Sequence, residues 1–390
     1  MDSELRELQL IEIDLLKKVV DICKKYNIQF FLYYGSLLGA VRHKGFIPWD
    51  DDVDIVMPRA DFELFLHVAE EELDEPYFLQ TGKNSPELIC NGKAMLRRSD
   101  TTKVGWGQDV LKSGNQGIFI DIGVMDKIPC GSVQRKKQRK KVDWYLSLLF
   151  IKSNKDAVKQ IKSMGIGRKG VKLRKLLVEF LSYRYLNRKL ARFMSQANSL
   201  EDDYEYCCFP TDLGGAYRHK TYPRECFEEM RLQSYENMEL PIPVGYHEVL
   251  TILYGDNYME LPPESKRKSK HCGICKTDIP YDIYLKHFTE TYKYANERDI
   301  YLFGAGHMVN YYLEHEGKKY KHIYTVDNNS KLWGGEVKGI PIKSPEELRT
   351  VDWKESQIII CSIYYREIEK QLLDMGITNY YVYIQNKNWL

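Results

Sequence analysis

Three aspartates lie within apolar, strand-like runs, and this feature constrains the fold more than any other. Asp52 and Asp54 are two residues apart in DDVDIVM, so on a strand their side chains point to the same face. Asp121 is flanked by Ile120 and Ile122 in GIFIDIGVMD. An ionised carboxylate among apolar neighbours is costly unless a cation or a metal ion compensates it. The sequence therefore predicts neighbouring strands that share one acidic site.

A divalent cation would relieve the repulsion between such carboxylates, and hard oxygen ligands favour Mg²⁺, with Mn²⁺ as a second candidate. We predict that Asp52, Asp54 and Asp121 are the metal ligands and the catalytic carboxylates. Asp50 and Asp51 are interpreted as loop acids. Two alternatives stay open: the D-x-D can be a solvated turn or cap, and Asp121 can be a buried ion-pair partner.

Gly35 and Ser36 stand where the strand-like run IQFFLYYGS passes into the helix-like run SLLGAVRH. Backbone N–H groups and a hydroxyl at a helix start form a phosphate cradle, and glycine allows the phosphate to approach closely. Helical spacing over residues 4–26, mixed with strand-like runs up to Pro129, indicates an α/β or α+β core. The order G-S, then D-h-D, then h-D-h (h is apolar) is more specific than any of its parts.

Cysteine usage and the N-terminal sequence predict a cytoplasmic protein. The nine cysteines are an odd number scattered over 390 residues, which argues against a disulfide framework. The first residues, MDSELRELQLIEIDLL, are acidic and periodic, unlike a signal peptide. No apolar stretch approaches the roughly 18 residues that a spanning helix needs.

Several segments together resemble a known family. YYGSLLGAVRHKGFIPWDDDVDIVMPRADFELF resembles the signature of the LicD family of phosphocholine transferases, which is related to the fukutin-type ribitol-phosphate transferases. GKAMLRRSDTT, GIFIDIGVMDKIP and YGDNYMELPPESKRKSKH extend the resemblance over about residues 5–275. The resemblance implies a nucleotidyltransferase-like fold for this part of the chain.

The resemblance also implies a reaction. A CDP-activated alcohol, typically CDP-choline, donates its phospho-alcohol to a hydroxyl of a glycan, a lipid-linked glycan or a teichoic acid precursor, and CMP leaves. Asp121 would then also accept the proton of the acceptor hydroxyl. Further residues are predicted to bind the diphosphate or reach the site: Gly35, Ser36, Arg42, His43, Lys93, Arg97 and His271. Lys93 and Arg97 can instead be surface charges, and His43 a loop cap.

Residues 130–195 are strongly basic, with 19 Lys and Arg against three acids, whereas the whole chain has a net charge of only +2. We interpret this segment as a helical insertion in a catalytic domain spanning residues 1–297. A basic amphipathic helix could dock on an anionic membrane at the inner face of the cell membrane. A solvated helical face is the alternative, and nucleic acid is not expected because no nucleic-acid motif is present.

Residues 298–390 alternate strand-like and helical runs and predict a small Rossmann-like parallel α/β domain. Gly304, Gly306 and Asp327 suit a dinucleotide fingerprint, but Val309 stands where its third glycine belongs. We therefore treat these three residues as a weak ligand-site prediction. A folding module, or a dimerisation module that makes a homo-oligomer, is the alternative.

His271, Cys272 and Cys275, with Cys207 and Cys208, raise a zinc alternative, but unligated cysteines are preferred because a single C-x-x-C is present. Two other functions compete with phospho-alcohol transfer: transfer of a nucleotide onto a small molecule or RNA, and non-catalytic nucleotide sensing. The transferred alcohol and the acceptor glycan stay open.

Overall fold

The computed structural model describes residues 3–86, 93–105, 114–153, 168–208, 220–267, 272–286, 297–315, 317 and 320–383. The chain divides into two compact units, each of which is described separately. The first unit comprises Met1–Ser99 and Ile118–Lys270, and the second comprises Asp100–Gly117 and His271–Leu390.

The first unit mixes helices and strands, as the sequence predicts. Its helices are α1 (Ser3–Tyr26), α2 (Tyr34–His43), α3 (Arg59–Glu72), α4 (Ser132–Ser153), α5 (Arg168–Phe180), α6 (Tyr183–Met194) and α7 (Tyr246–Tyr254). Its strands are β1 (Phe31–Leu32), β2 (Asp54–Pro58), β3 (Tyr77–Gln80), β4 (Lys93–Arg98), β6 (Ile118–Pro129), β7 (Tyr204–Cys207), β8 (Tyr222–Pro223), β9 (Met230–Tyr235) and β10 (Met238–Pro243).

Strand β6 organises the main sheet of this unit, whose order is β1-β2-β6-β4-β3, with β7 beside the far end of β6 and β8 beside β7. β2 runs parallel to β6, and β4 runs antiparallel to it on the other side. Side chains along β6 alternate in burial, and Ile118, Ile120 and Ile122 are fully buried. Asp121 points to the opposite, less covered face, because strand side chains alternate.

Two predicted boundaries differ from the observed ones. The strand-like run before Gly35 contributes only the two residues of β1, because α2 already begins at Tyr34. Strand β2 begins at Asp54, so Asp52 precedes the strand instead of lying within it. Backbone pairing nevertheless starts one residue earlier, since Asp121 N–H donates to Val53 O at 2.8 Å.

The described part of the basic segment forms the three helices α4, α5 and α6. The buried Gln138 side chain of α4 donates from Nε2 to Met194 O at 2.9 Å and to Phe193 O at 3.2 Å, which ties α4 to the end of α6. Among the described residues, no helix is both long and apolar enough to cross a membrane.

The second unit contains a parallel sheet. Its strands are β5 (Thr102–Gly105), β11 (Cys272–Lys276), β12 (Asp299–Phe303), β13 (His322–Val326), β14 (Glu336–Val337), β15 (Ile340–Lys343), β16 (Ser356–Ile360) and β17 (Tyr380–Val382). Its helices are α8 (His307–His315) and α9 (Tyr365–Asp374), and residues 281–286 are also helical. The order is β14-β15-β13-β12-β16-β17, parallel except for the β14–β15 pair.

The second unit starts earlier than residue 298, where the sequence analysis places the boundary. The reason is long-range pairing, since β11 pairs antiparallel with β5 from the first third of the chain. Val104 and Ile274 from these strands are buried in the same apolar core as β12 and β16. Such pairing over more than 160 residues leaves no local signal in the sequence.

A buried ion pair joins the start of α3 to β6. Arg59 donates from Nε to Asp126 Oδ1 at 2.9 Å and from a terminal nitrogen to Oδ2 at 2.6 Å. Asn198 donates to the same Oδ1 at 2.7 Å, and Asp126 is fully buried. Bidentate pairing of this kind compensates the desolvation of both charges only while both partners are present.

We expect Arg59→Ala to lower the free energy of unfolding by roughly 3–5 kcal/mol, because it leaves the Asp126 carboxylate buried without a cation. Urea denaturation measures this change. Arg224→Ala is the matched control, since Arg224 pairs at 3.0 Å with an Asp202 side chain that is 83% exposed, and it should cost less than about 1 kcal/mol. Equal losses in the two variants would contradict the assignment.

Candidate active site

The parallel pairing of β2 with β6 brings two of the predicted carboxylates together. Asp54 opens β2 and stands directly opposite Asp121 in the register of the two strands. Tyr33 N–H donates to Asp54 O at 2.9 Å, so the backbone of Asp54 is bonded to the segment leading into α2. The two acids therefore come from strands held together by main-chain hydrogen bonds, which makes their spacing rigid.

Burial and neighbouring negative charges both disfavour the ionised form of Asp54. Loss of contact with water raises the pKa of its carboxyl well above the usual range, and the nearby Asp52 and Asp121 charges raise this pKa further. Lys93 lowers it in part. The ionised form of Asp54 is therefore costly at this place, and a bound divalent cation would reduce that cost.

Lys93 lies next to the second carboxylate. Its Nζ is 2.8 Å from Asp121 Oδ1, and the two side chains are 28% and 20% exposed. The two atoms form an ion pair, although their geometry is not that of a hydrogen bond. Within the described part of the chain, Asp121 Oδ1 accepts no hydrogen bond. Register places Lys93 beside Gly123, two residues beyond Asp121 on the same face of β6. The lysine is thus positioned to contact an anionic group bound at this face.

Ser36 makes a contact within its own unit, and its predicted role in binding a phosphate stays a prediction. Its buried hydroxyl oxygen accepts the backbone N–H of Asp54 at 2.9 Å and so fixes the start of β2. The preceding Tyr34 has a left-handed backbone with φ of 42°, an unfavourable conformation for a tyrosine. Strain of this kind persists where the surroundings fix the backbone, and here it lies at the turn into α2.

Gly35 packs closely against an acid. A Cβ at this position would lie 2.5 Å from Asp50 Oδ2, so the Asp50 carboxylate takes the space beside the start of α2. Asp50, Asp51 and Asp52 bring carboxylate oxygens within 4.8 Å of one another, and Asp51 is 1% exposed. Asp50 and Asp51 lie in the loop before β2, as interpreted from the sequence, and both belong to this acidic cluster.

The sequence offered one signal for Asp50 and Asp51, namely four acids among residues 50–54. Acidic loops are common on surfaces, so that signal does not separate a ligand from a solvated residue. The deciding contacts come from elsewhere in the chain: Gln9 of α1 donates to Asp50 O at 3.0 Å, and Gly35 lies against the Asp50 carboxylate.

Arg42 and His43 are engaged with their own unit. One terminal nitrogen of Arg42 donates to Tyr258 O at 2.8 Å and to Glu260 O at 3.0 Å, and its Nε donates to His43 Nε2 at 2.9 Å. Burial and the Arg42 charge lower the pKa of His43. Arg42 thus holds the segment after α7, and the predicted contact of both side chains with a diphosphate stays a prediction.

Arg97 is buried within the sheet and is not a surface charge. Its Nε donates to Gln80 Oε1 at 2.6 Å, and its guanidinium lies 4.5 Å from the centre of the Phe119 ring. Burial lowers the pKa of Arg97 to about 10, and the charge of Asp121 opposes that shift. Among the described contacts, Arg97 acts on the site through its charge on Asp121.

The late histidine and most of the zinc alternative fall beyond what the structure describes. His271 lies outside the described residues, and only the backbone of Cys272 is described. Burial raises the pKa of Cys207 to about 12, and Cys275 is also buried. Among the described residues, the group whose ligand atoms are close enough to hold a metal ion is Asp50–Asp52, and it contains no cysteine.

Gly304, Gly306 and Asp327 come together at one end of the second unit's sheet. Gly304 has φ of 105°, and a Cβ there would lie 2.7 Å from Cys361 O, so only glycine fits. Asp327 Oδ2 accepts the N–H of Ala305 at 2.7 Å. Its Oδ1 accepts the N–H of Asn329 at 2.8 Å. The acid therefore holds the glycine turn, and a ligand role for these residues stays a prediction.

Comparison with known proteins bears directly on the first unit. Residues 27–105 match the family described as LicD/FKTN/FKRP, nucleotidyltransferase domain, and this match contains Asp52, Asp54 and Lys93. The lipopolysaccharide cholinephosphotransferase LicD of Haemophilus influenzae is 29% identical over 275 residues, which cover 68% of this chain and 96% of that protein. The chain therefore contains a LicD-family domain over residues 27–105. The resemblance stated from the sequence is thereby confirmed.

Other similarities of this chain are shorter. An uncharacterized protein of Rickettsia typhi is 35% identical over 97 residues, 24% of this chain and 29% of that protein. Residues 296–383 match a family described as C2185-like, N-terminal. A crystal structure of a Rex-family repressor aligns with a TM-score of 0.20 and 14% identity, covering 27% of this chain and 53% of that chain, which is too low to support an argument.

The raised pKa of Asp54 makes a prediction for thermal stability. A carboxyl whose pKa is raised on folding costs no stability below its unfolded pKa of about 4, and costs increasingly more as the pH rises through the higher folded value. At neutral pH in a chelator, Asp54→Asn should therefore raise Tm, by roughly 2–4 °C for each 1 kcal/mol of repulsion removed.

Excess Mg²⁺ should raise the Tm of the unsubstituted protein and have less effect on Asp54→Asn, because the cation stabilises the state that it binds. Differential scanning fluorimetry with and without Mg²⁺ measures both effects. Asp21→Asn, at an exposed position of α1, is the control and should change neither value. A lower Tm for Asp54→Asn in the chelator would contradict net repulsion at this site.

Proposed function

We propose that this chain transfers phosphocholine, or a related phospho-alcohol, from a CDP-activated donor to a hydroxyl of a cell-surface glycan or teichoic acid precursor, with release of CMP. The observation that carries the proposal is the facing of Asp54 and Asp121 across β2 and β6, in a chain that matches 96% of the length of a lipopolysaccharide cholinephosphotransferase. Facing carboxylates on adjacent strands suit metal-assisted phosphoryl chemistry.

The residues present fit a divalent cation. Asp54 and Asp121 face each other across β2 and β6, and burial together with the neighbouring acids disfavours the ionised form of Asp54, a cost that a cation bound to these oxygens would reduce. Asp52 supplies a third carboxylate that acts on Asp54. Mg²⁺, or Mn²⁺ in its place, would bind these oxygens and withdraw charge from the donor diphosphate.

The side chains would then divide the remaining work. Asp121 would accept the proton of the acceptor hydroxyl while that oxygen forms a bond to the phosphorus that carries the alcohol. The bond between this phosphorus and the bridging oxygen breaks, and CMP leaves with the electron pair. Lys93, 2.8 Å from Asp121, would stabilise negative charge on the transferred phosphoryl group.

The rigid strands explain why this arrangement can catalyse transfer. Ser36 fixes the start of β2, and the backbone of Val53 accepts the N–H of Asp121, so the two carboxylates keep their spacing before the donor binds. Preorganised charges of this kind contribute most of the stabilisation in phosphoryl transfer, where the protein does little covalent chemistry.

A panel of CDP-alcohols with Mg²⁺ tests the donor class. CDP-choline, CDP-ethanolamine, CDP-glycerol and CDP-ribitol should be ranked first by thermal shift and then by CMP release in the presence of a glycan acceptor. The proposal expects CMP with at least one donor and the alcohol phosphate in the product. Incorporation of the nucleotide into product, without CMP, would establish nucleotide transfer in its place.

We expect Asp121→Asn to lower the rate of CMP release by about 10²–10⁴-fold, because it removes both a metal ligand and the base. Asp143→Asn, on α4 in the same unit, is the matched control and should retain full activity. Circular dichroism and Tm would establish that both variants fold. Unchanged function in Asp54→Ala and Asp121→Asn would reject catalysis here and favour nucleotide sensing.

A further inference from the structure

Helix α5 presents an exposed apolar stripe to solvent. Leu173, Leu176 and Phe180 are 50%, 61% and 81% exposed, which is high for large apolar side chains. Their spacing of three and four residues places them on one side of the helix. Isolated exposed leucines are ordinary, but three large side chains in a row on one helix face mark a contact surface.

The opposite side of α5 fixes the direction in which this stripe points. Val171 and Val178 are buried, and Arg174, between them in the helix, lies 4.2 Å from the centre of the Trp144 ring of α4. Arg174 also donates from Nε to Ser147 Oγ at 2.9 Å. At about 100° per residue, these inward positions lie opposite Leu173, Leu176 and Phe180. Turning the stripe inward would break these contacts, so it remains outward.

Exposed cations accompany the stripe. Lys172 and Lys175 are exposed on α5, and at about 100° per residue both lie on one flank of the stripe, with Glu179 between them. The neighbouring helices add further exposed cations: Lys136, Lys137, Lys140 and Lys141 on α4, and Arg184, Arg188 and Arg192 on α6. In the three helices as described, the acids are Asp143 and Glu179. This combination of an apolar stripe and neighbouring cations restricts what can bind.

The chemistry favours one occupant over the others. A second copy of the same face would bring like charges together, which opposes self-association. Nucleic acid would contact the cations but would leave the leucines and the phenylalanine exposed to water or in contact with phosphates. A bilayer with anionic headgroups satisfies both parts, since its interface takes up apolar side chains and its phosphates attract lysines.

We propose that α5 docks this LicD-family unit on an anionic membrane surface, with Leu173, Leu176 and Phe180 inserted at the boundary between headgroups and acyl chains. Lys172 and Lys175 lie at the level of the lipid phosphates. The contact is peripheral, because α5 has 13 residues and is far too short to span a bilayer. The proposal does not depend on which donor or acceptor the catalytic site uses.

Sedimentation with vesicles tests the docking surface. The full chain is mixed with vesicles of equal parts phosphatidylglycerol and phosphatidylcholine, or of phosphatidylcholine alone. We expect binding to the anionic vesicles only, weakened when salt rises from about 0.1 M to 1 M, which shortens the Debye length from roughly 10 Å to 3 Å. Absence of binding to anionic vesicles at low salt overturns the proposal.

Two variants separate the apolar and the charged contributions. The triple variant Leu173→Ser, Leu176→Ser, Phe180→Ser should bind anionic vesicles at least about tenfold more weakly. Lys172→Gln with Lys175→Gln should weaken binding roughly 30-fold, since each lysine near an anionic surface contributes about a factor of five. The matched control replaces three exposed apolar residues elsewhere in the unit: Leu64→Ser, Met230→Ser and Leu232→Ser.

The control triple should bind vesicles as the unsubstituted protein does, and Tm should be similar in all variants. Equal binding by the α5 triple and the control triple would overturn the proposal. Sedimentation velocity provides a second readout: if the protein is a dimer that the α5 triple converts to a monomer, a second copy covers the stripe and the membrane assignment is wrong.

Discussion

Parallel pairing of β2 with β6 sets two carboxylates side by side, and the local structure is built around this repulsion. Asp54 and Asp121 cannot move apart, because main-chain hydrogen bonds hold their strands in register. Burial, together with the charges of Asp52 and Asp121, raises the pKa of Asp54 well above its usual range. A folded unit tolerates such a site only if the rest of its core offsets the unfavourable free energy of the site.

Several contacts maintain the site without neutralising it. The Ser36 hydroxyl holds the start of β2, and Gly35 leaves room for the Asp50 carboxylate beside α2. Lys93 is the cation in contact with Asp121, while the buried Arg97 acts on Asp121 through its charge. The result is a rigid acidic surface whose negative charge is partly offset by Lys93 and Arg97. Such a surface suits a donor whose diphosphate binds together with a cation.

The same strand connects this site to the basic helical layer. β6 carries Asp121 near its beginning, and farther along Lys127 O lies 3.4 Å from Nε2 of Gln138 on α4. Asp126, between them, is held by Arg59 of α3. Catalytic and docking roles can therefore be carried by one folded unit, because the helices that present the cations are fixed to the strand that presents the acid.

The sequence by itself determined the local chemistry: acids at a strand start, the alternation that exposes Asp121, and the basic composition of α5, because side-chain periodicity depends only on neighbouring residues. The family resemblance was also visible in the sequence, because it rests on contiguous segments of the chain. Only the tertiary structure decided that Asp50 fills the space at Gly35, that Arg42 holds the segment after α7, and that β11 pairs with β5. Those contacts join residues that are distant in the chain. The tertiary structure also decided which face of α5 is exposed to water, because α4 covers the other face.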